Sequence, residues 1–450
     1  MFFKRTLIKS LVNKPQISAK KKKALTNIAW AISGKIVSLT GVLVVGIIVA
    51  RYLGQEQYGI MNYVISFVAI FQVFADFGLD FIQIREESKN PADKDRIIGT
   101  TFALKLFFAL LTLVAILITT LLFESDARIR CYIMIYAVSV ILNTTWVSRN
   151  HFTSIVWNEY VVKTEISRTL IGMAIKIGFV LLKLPLIWFI FSLVIDSMLL
   201  AVGYTGSYIR KIDSIRKWRY DKEMAIFMLK QSFPLLLSGA AIVLYNRIDQ
   251  VMIGNMIDNS HLGVYSVAVR FTELLVFVPT IIAQTISPIL VEVRQKDADR
   301  YEELSRVFMN VTVAVCILLA VFTSLLSYPI VKYTFGQTYI GAASVLSILA
   351  FKVVGDALSQ TSGQLMIIEG IQKYASIRNI IGCVTCVVLN WFFITRYGIH
   401  GAAYVAIITI FVSGTLADYI IPSYRKIFFK QVKAISIGWM DIIHIKKLLR

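Results

Sequence analysis

Long apolar runs, interrupted at intervals by short polar and basic segments, dominate the chain. Twelve are long enough to cross a bilayer as helices, since about 20 apolar residues span the hydrocarbon. Six lie near residues 24–50, 58–84, 97–123, 131–150, 165–183 and 185–209. Six more lie near 231–255, 262–290, 306–335, 342–369, 377–395 and 400–421. The least sharp boundary is the stretch 149–168, polar enough for a loop and aromatic enough for the membrane interface. The pattern predicts an all-α polytopic membrane protein of twelve transmembrane helices. It divides the chain into a basic tail (1–23), a six-helix lobe (24–209), a linker (210–230), a second six-helix lobe (231–421) and a basic amphipathic tail (422–450).

Composition agrees with this picture. The 450 residues are 57% hydrophobic and 16% charged, so no sizeable soluble domain fits between the spans and most catalytic classes are excluded. The formal net charge of +20 is dispersed among loops instead of forming the basic patch of a nucleic-acid binder. Its distribution is informative: with both termini cytoplasmic, the cytoplasmic segments hold 35 Lys and Arg and the opposite connections hold 6. That is the asymmetry of the positive-inside rule, and a miscount by one span would scramble it. The four cysteines, Cys131, Cys316, Cys383 and Cys386, lie in or beside apolar runs and read as packing residues. His151, His261, His400 and His444 are too scattered for a metal site, and no phosphate-binding glycine loop occurs. No metal, cofactor or ATP site is expected.

An internal repeat is visible. The turn after the first span, Gly54 to Asn62, aligns with the turn after the seventh, Asp258 to Ser266, with Gly59 over Gly263. A duplication of six spans gives two halves of the same orientation, related by an axis along the membrane normal, with a cleft between them.

Ionisable residues inside spans are functional candidates, because an unpaired charge at the bilayer centre costs about 2.5–3.5 kcal/mol. Lys352 and Asp356 are four apart and Arg270 and Glu273 three apart, so each pair can meet on one helix face. Arg247 and Asp249, two apart, must each look to another helix or to water. Lys35 and Lys176 have no acid within a turn and sit among small residues, which fits a wet cavity better than lipid. Lys105 reads as snorkelling to the cytoplasmic end of its span. Asp76, Asp80, Glu369 and Asp418 read as solvated at span ends, whereas Asp196 lies mid-span and must be protonated, paired with a base such as Lys176, or part of a proton path. The prolines Pro234, Pro279, Pro288 and Pro329 put bent helices in the second half.

The run Asp249-Gln250-Val251-Met252-Ile253-Gly254 followed by Leu262-Gly263-Val264-Tyr265 resembles the seventh-span signature of oligosaccharide-lipid flippases of the polysaccharide-transporter family. Ala50-Arg51-Tyr52-Leu53-Gly54 with Tyr58-Gly59-Ile60, and Tyr397-Gly398-Ile399-His400-Gly401-Ala402-Ala403, resemble that family's first and last hairpins. The resemblance covers essentially the whole chain. It implies the multidrug/oligosaccharidyl-lipid/polysaccharide exporter fold and a Wzx-type flippase of O-antigen or capsule units in the bacterial inner membrane. The implied substrate is a polyprenyl-diphosphate-linked oligosaccharide drawn from membrane lipid, and glycan polymerase and chain-length proteins are implied partners. On that reading Lys35, Lys176, Arg247, Arg270 and Lys352 bind substrate in a cationic cavity by alternating access, and Asp196, Asp249 and Asp356 are coupling or tuning acids. Two rivals stand beside it. A drug or cation antiporter on the same fold should show acids in excess of bases at mid-depth, and a glycan polymerase or ligase should carry a large outward loop.

Overall fold

The computed structural model describes residues 19 to 436 and residue 438, with side chains at residue 41 and from 43 onward. Every regular element among them is helical. Among the described residues, nine helical stretches are long and apolar enough to cross a membrane. One helix, α1 (Ala19–Asp76), is a hairpin of two crossings joined at Gly54, whose φ of 73° lies where only glycine is unstrained. After it come α2 (Leu79–Lys89), α3 (Lys94–Phe123), α4 (Ala127–Leu142), α5 (Trp146–Ser154), α6 (Asn158–Leu181) and α7 (Leu186–Lys211). The following helices are α8 (Lys222–Met256), α9 (Asn259–Leu275), α10 (Phe277–Lys296), α11 (Ala298–Leu325), α12 (Ser327–Thr334), α13 (Ala342–Leu349) and α14 (Lys352–Glu369). Next is α15 (Ala375–Phe411), broken at Gly398, where φ is 59°. The last two are α16 (Ala417–Ile420) and α17 (Arg425–Ser436). Divided at the two glycines, these helices are consistent with the expected twelve crossings. The stretch 149–168 is helical except at 155–157, so it continues the neighbouring helices instead of forming a loop.

The two repeated turns meet. A Cβ placed on Gly59 would lie 1.7 Å from the carbonyl oxygen of Asn259, and one on Gly263 would lie 2.0 Å from that of Gln55. Gln55 and Asn259 each precede their own glycine by four residues, so the contact is reciprocal. Only glycine lets the backbones approach this closely. Below this point Tyr63 donates to the Asn255 side-chain oxygen at 3.2 Å and Ser66 donates to the Gln250 side-chain oxygen at 2.9 Å. Around it, Arg51 donates to the Tyr333 carbonyl at 2.7 Å and the Tyr339 hydroxyl to that of Ala50 at 2.8 Å. Leu53, Tyr58, Leu262, Tyr265 and Leu346 belong to one apolar core that crosses between the halves. The end of the bundle that carries the Gly54 hairpin is thus closed.

Two of the charges expected at aqueous span ends, Lys105 and Asp418, are buried instead. Lys105 is 1% exposed, with Nζ 2.6 Å from Asp80 and 3.1 Å from Asp76. It does not snorkel, because the end of α1 and the start of α2 bring Asp76 and Asp80 to it. The same cluster continues through Asn150, Gln83 and Glu87 to His151. Lys105→Met leaves the two carboxylates without their cation, and breaking such a pair costs about 3 kcal/mol, the lower end for groups that water partly reaches. Membrane abundance should fall sharply, and adding Asp76→Asn and Asp80→Asn should restore it. Unchanged abundance of the single variant in quantitative immunoblots would contradict this account.

Asp418 is likewise buried, 3.3 Å from Arg378 of α15. The basic tail begins as α17, which docks on the bundle: Ile427, Gln431 and Ala434 are buried, and the Gln431 amide donates to Asp418 and to the Gly414 carbonyl. Gly414 lies in a π-helical turn, Val412–Leu416, where carbonyls lose their regular partners. Its other face exposes Phe429, Val432 and Ile435. In the linker, Arg96 pairs with Asp221 at 2.9 Å and holds that carboxyl below its ordinary range.

Candidate functional site

Two cavities lie side by side around α9. The larger, about 630 Å³, sits among α8, α9, α14 and α15. The smaller, about 190 Å³, sits among α1, α6, α7 and α9. Because a helix turns every 3.6 residues, residues three, four and seven apart share a face. That places Asn246 and Asp249 of α8, and Asp356, Gln360, Gly363 and Ile367 of α14, along the wall of the larger cavity.

Arg247 reaches the Glu273 carboxylate at 3.1 Å, and Arg270 reaches its other oxygen at 3.3 Å. One carboxylate is therefore held between two guanidiniums, Arg247 lining the larger cavity and Arg270 the smaller. The local Arg270–Glu273 pair occurs as the spacing predicts; the second claim on Glu273 comes from α8. Lys352 lies 3.6 Å from Asp356 and donates to the Asn246 side-chain oxygen at 3.4 Å. Asp249 turns to the next helix and accepts from the Tyr265 hydroxyl at 2.6 Å; among the described residues no cation pairs with it, and its side chain is buried.

In the smaller cavity Lys176 is bonded to Asp196. Of the alternatives for Asp196, the pair with Lys176 is the one formed. Gly172 makes room for it, since a Cβ there would lie 2.2 Å from the carboxylate. Arg168 approaches the same carboxylate at 4.0 Å, and its Nε is buried with no hydrogen-bond partner among the described residues. Arg168 was not among the sequence candidates because it falls in the stretch 149–168; its signal would have been a base two turns before Lys176 on one helix. Lys35 is carried on α1, but its side chain lies outside the described residues. Of the other seven candidates, Arg247, Lys352, Asp249 and Asp356 share the larger cavity and Lys176, Asp196 and Arg270 the smaller; Glu273, not a candidate, joins the two sets. Among the described residues no group of His, Cys, Asp and Glu is arranged to hold a metal ion.

The arrangement has the parts of an anion-transfer site: guanidiniums held in place by a carboxylate that an incoming phosphate can displace, next to a roomy polar chamber. Comparison with known proteins gives two family matches. The family described as "Polysaccharide biosynthesis protein" matches residues 24–294, and the MatE family matches residues 234–392. The probable low-salt glycan biosynthesis flippase Agl15 of Haloferax volcanii is 25% identical over 200 residues. The match covers 44% of this chain and 42% of that relative, less than half of its length. Among solved structures, an inward-facing multidrug resistance MATE family transporter of the MOP superfamily superposes with a TM-score of 0.65 at 15% identity, covering 88% of this chain and 99% of that one. The lipid II flippase MurJ in an inward closed conformation gives 0.63 at 14% identity, covering 94% and 96%. These likenesses establish the fold.

Proposed function

Since the chain belongs to the polysaccharide biosynthesis protein family, a family of polysaccharide flippases, we propose that it carries lipid-linked glycan units across the membrane it spans. It is a multi-pass membrane transporter and not an enzyme. The finer reading is a polyprenyl-diphosphate-linked oligosaccharide moved from the cytoplasmic to the outer leaflet of a bacterial inner membrane, for O-antigen or capsule synthesis. In that reading residues 24–209 and 231–421 are the two rocking lobes, both termini are cytoplasmic, and the closed Gly54 end faces outward. Glycan polymerase and chain-length proteins would take over the product.

The observation that carries this reading is the Arg247–Glu273–Arg270 bridge on the border of two cavities. A carboxylate held by two arginines is a resident anion, and a diphosphate offers Arg270 more acceptor oxygens than Glu273 does. An antiporter reading draws on the carboxylates of the larger cavity, but the cations of the smaller one count against it. A deletion strain tests the function directly: single lipid-linked units should accumulate on the cytoplasmic leaflet, whereas accumulation on the outer leaflet would point to a polymerase.

Energetics provide a second test. Moving about two negative charges outward from a negative interior is favoured by up to about 4.6 kcal/mol per 100 mV, from roughly 2.3 per charge. Export in proteoliposomes should slow when a potassium diffusion potential is collapsed. A rate indifferent to potentials of both signs would mean that a compensating charge travels with the substrate, with Asp196, Asp249 or Asp356 as the groups to test as its carrier.

A further inference from the structure

The two cavities differ in both charge and size. Among the described residues, the smaller is lined by three cations, Arg168, Lys176 and Arg270, against one carboxylate, Asp196. The larger is lined by two cations, Arg247 and Lys352, against three carboxylates, Asp249, Glu273 and Asp356. Lys352 of the larger cavity has Asp356 at 3.6 Å, and Arg247 shares Glu273, at 3.1 Å, with Arg270 of the smaller one. An anion entering there would meet a surplus of like charge, whereas in the smaller cavity it meets a lining of net positive charge and the unpartnered Nε of Arg168.

The remaining polar lining of the larger cavity consists of groups that both donate and accept. Asn246, Gln360, Gln364 and Ser359 are on its wall, with the Tyr245 ring among them. Amides and carboxylates facing inward suit a neutral ligand rich in hydroxyls, because each hydroxyl both donates and accepts. Volume agrees: about 630 Å³ falls within the range of whole-ligand pockets, while about 190 Å³ fits a compact group.

Building on the flippase reading, we infer that the large α8–α9–α14–α15 cavity receives the sugars, and that the diphosphate is held by Arg168, Lys176 and Arg270 in the small one. The two parts of the substrate are covalently joined, so their subsites must adjoin. They do so at Glu273, which touches Arg247 on one side and Arg270 on the other. Arg247 and Lys352, expected from the sequence to bind the diphosphate, instead neutralise the walls of the sugar chamber. Arg168 takes a place among the diphosphate ligands.

The test uses the full-length protein in nanodiscs and a sugar-free probe, farnesyl diphosphate, in calorimetric titrations. Arg168→Gln should weaken binding about tenfold, the loss of one charge-assisted contact. Asp196→Asn should tighten it several-fold, because it removes the one carboxylate that lines that pocket among the described residues; a merely structural role for the Lys176 pair predicts no tightening. The double variant Lys352→Gln/Asp356→Asn should bind the probe within about twofold of wild type, since neither group meets an anion in this scheme. Gln364→Leu should also keep probe affinity while losing export of the glycan-bearing lipid. Melting temperatures of each variant separate misfolding from lost affinity, and the Asp196→Asn gain cannot come from misfolding. If the Lys352/Asp356 double variant weakens the probe as much as Arg168→Gln does, the allocation is overturned, although the protein is still a flippase. If wild-type protein neither binds the probe nor exports a lipid-linked glycan from proteoliposomes, the flippase reading itself falls.

Discussion

Arg270→Ala should lower glycan export by roughly ten- to a hundredfold, the equivalent of about 1.5–3 kcal/mol for a charge-assisted contact, with the protein still in the membrane at near-normal abundance. The abundance half of this expectation comes from the shared carboxylate. When Arg270 is removed, Glu273 keeps Arg247 at 3.1 Å and is not left as an unpaired buried charge. Arg270→Lys should rescue only partly, since an ammonium cannot reproduce a two-pronged contact with phosphate. If Arg270 served only to neutralise Glu273, the outcome would reverse: the single change would lower abundance, and Arg270→Gln combined with Glu273→Gln would restore export. Wild-type export by that double variant, measured as surface glycan in a deletion strain, would sink the assignment.

Gly59→Val should abolish export by a different route. Its Cβ would meet a backbone oxygen at 1.7 Å, and a backbone atom cannot rotate away as a side chain does. The Gly54 end could not close, so the cycle would stop with that end open. Export should fall to background and, in a chain with its cysteines replaced by Ser, a cysteine introduced at Thr272 should react with an impermeant maleimide added from outside. The same probe should not reach that cysteine in a Gly59 chain held in the closed state. Gly263→Val should behave alike, because its Cβ would meet the Gln55 carbonyl oxygen at 2.0 Å. Normal export by either variant would show that the contact is dispensable.

What could be read from the sequence follows from the range of the interactions involved. Apolar runs mark the spans because each helix carries its own hydrophobic requirement, and the Arg270–Glu273 and Lys352–Asp356 pairs were legible because three- and four-residue spacings share a helix face. The same rule required Arg247 and Asp249 to seek partners elsewhere, but could not say that these would be Glu273 and Tyr265. Lys105 with Asp80, and Arg378 with Asp418, join residues on separate helices, and only packing brings them together. Charges that looked solvated at span ends are buried for this reason. Arg168 was missed because a polar, aromatic stretch reads as a loop, whereas here it continues a helix into a cavity. The docking of α17 depends on a carbonyl freed by the π-helical turn, a backbone irregularity with no signature in side-chain periodicity.

The reciprocal approach of Gly59 and Gly263 bears on the origin of the chain. Residue i resting on j while j's counterpart rests on i's is the signature of an isologous interface, the kind formed by two identical protomers about a two-fold axis. A six-helix ancestor would have made this contact with a second copy of itself, in parallel orientation, before the copies were joined. In such a homodimer every change is made twice. After such a fusion the two sides could part company, and about two turns further along they differ. Ser66 and Gln250 are hydrogen-bonded at 2.9 Å, while their repeat counterparts are Arg270 and Gly46. There the guanidinium lies beside a glycine, its Nε 3.8 Å from where a Cβ would stand, with no side chain to bind it. One of the two equivalent positions thus fastens the halves, while the other carries Arg270, which pairs with Glu273 instead.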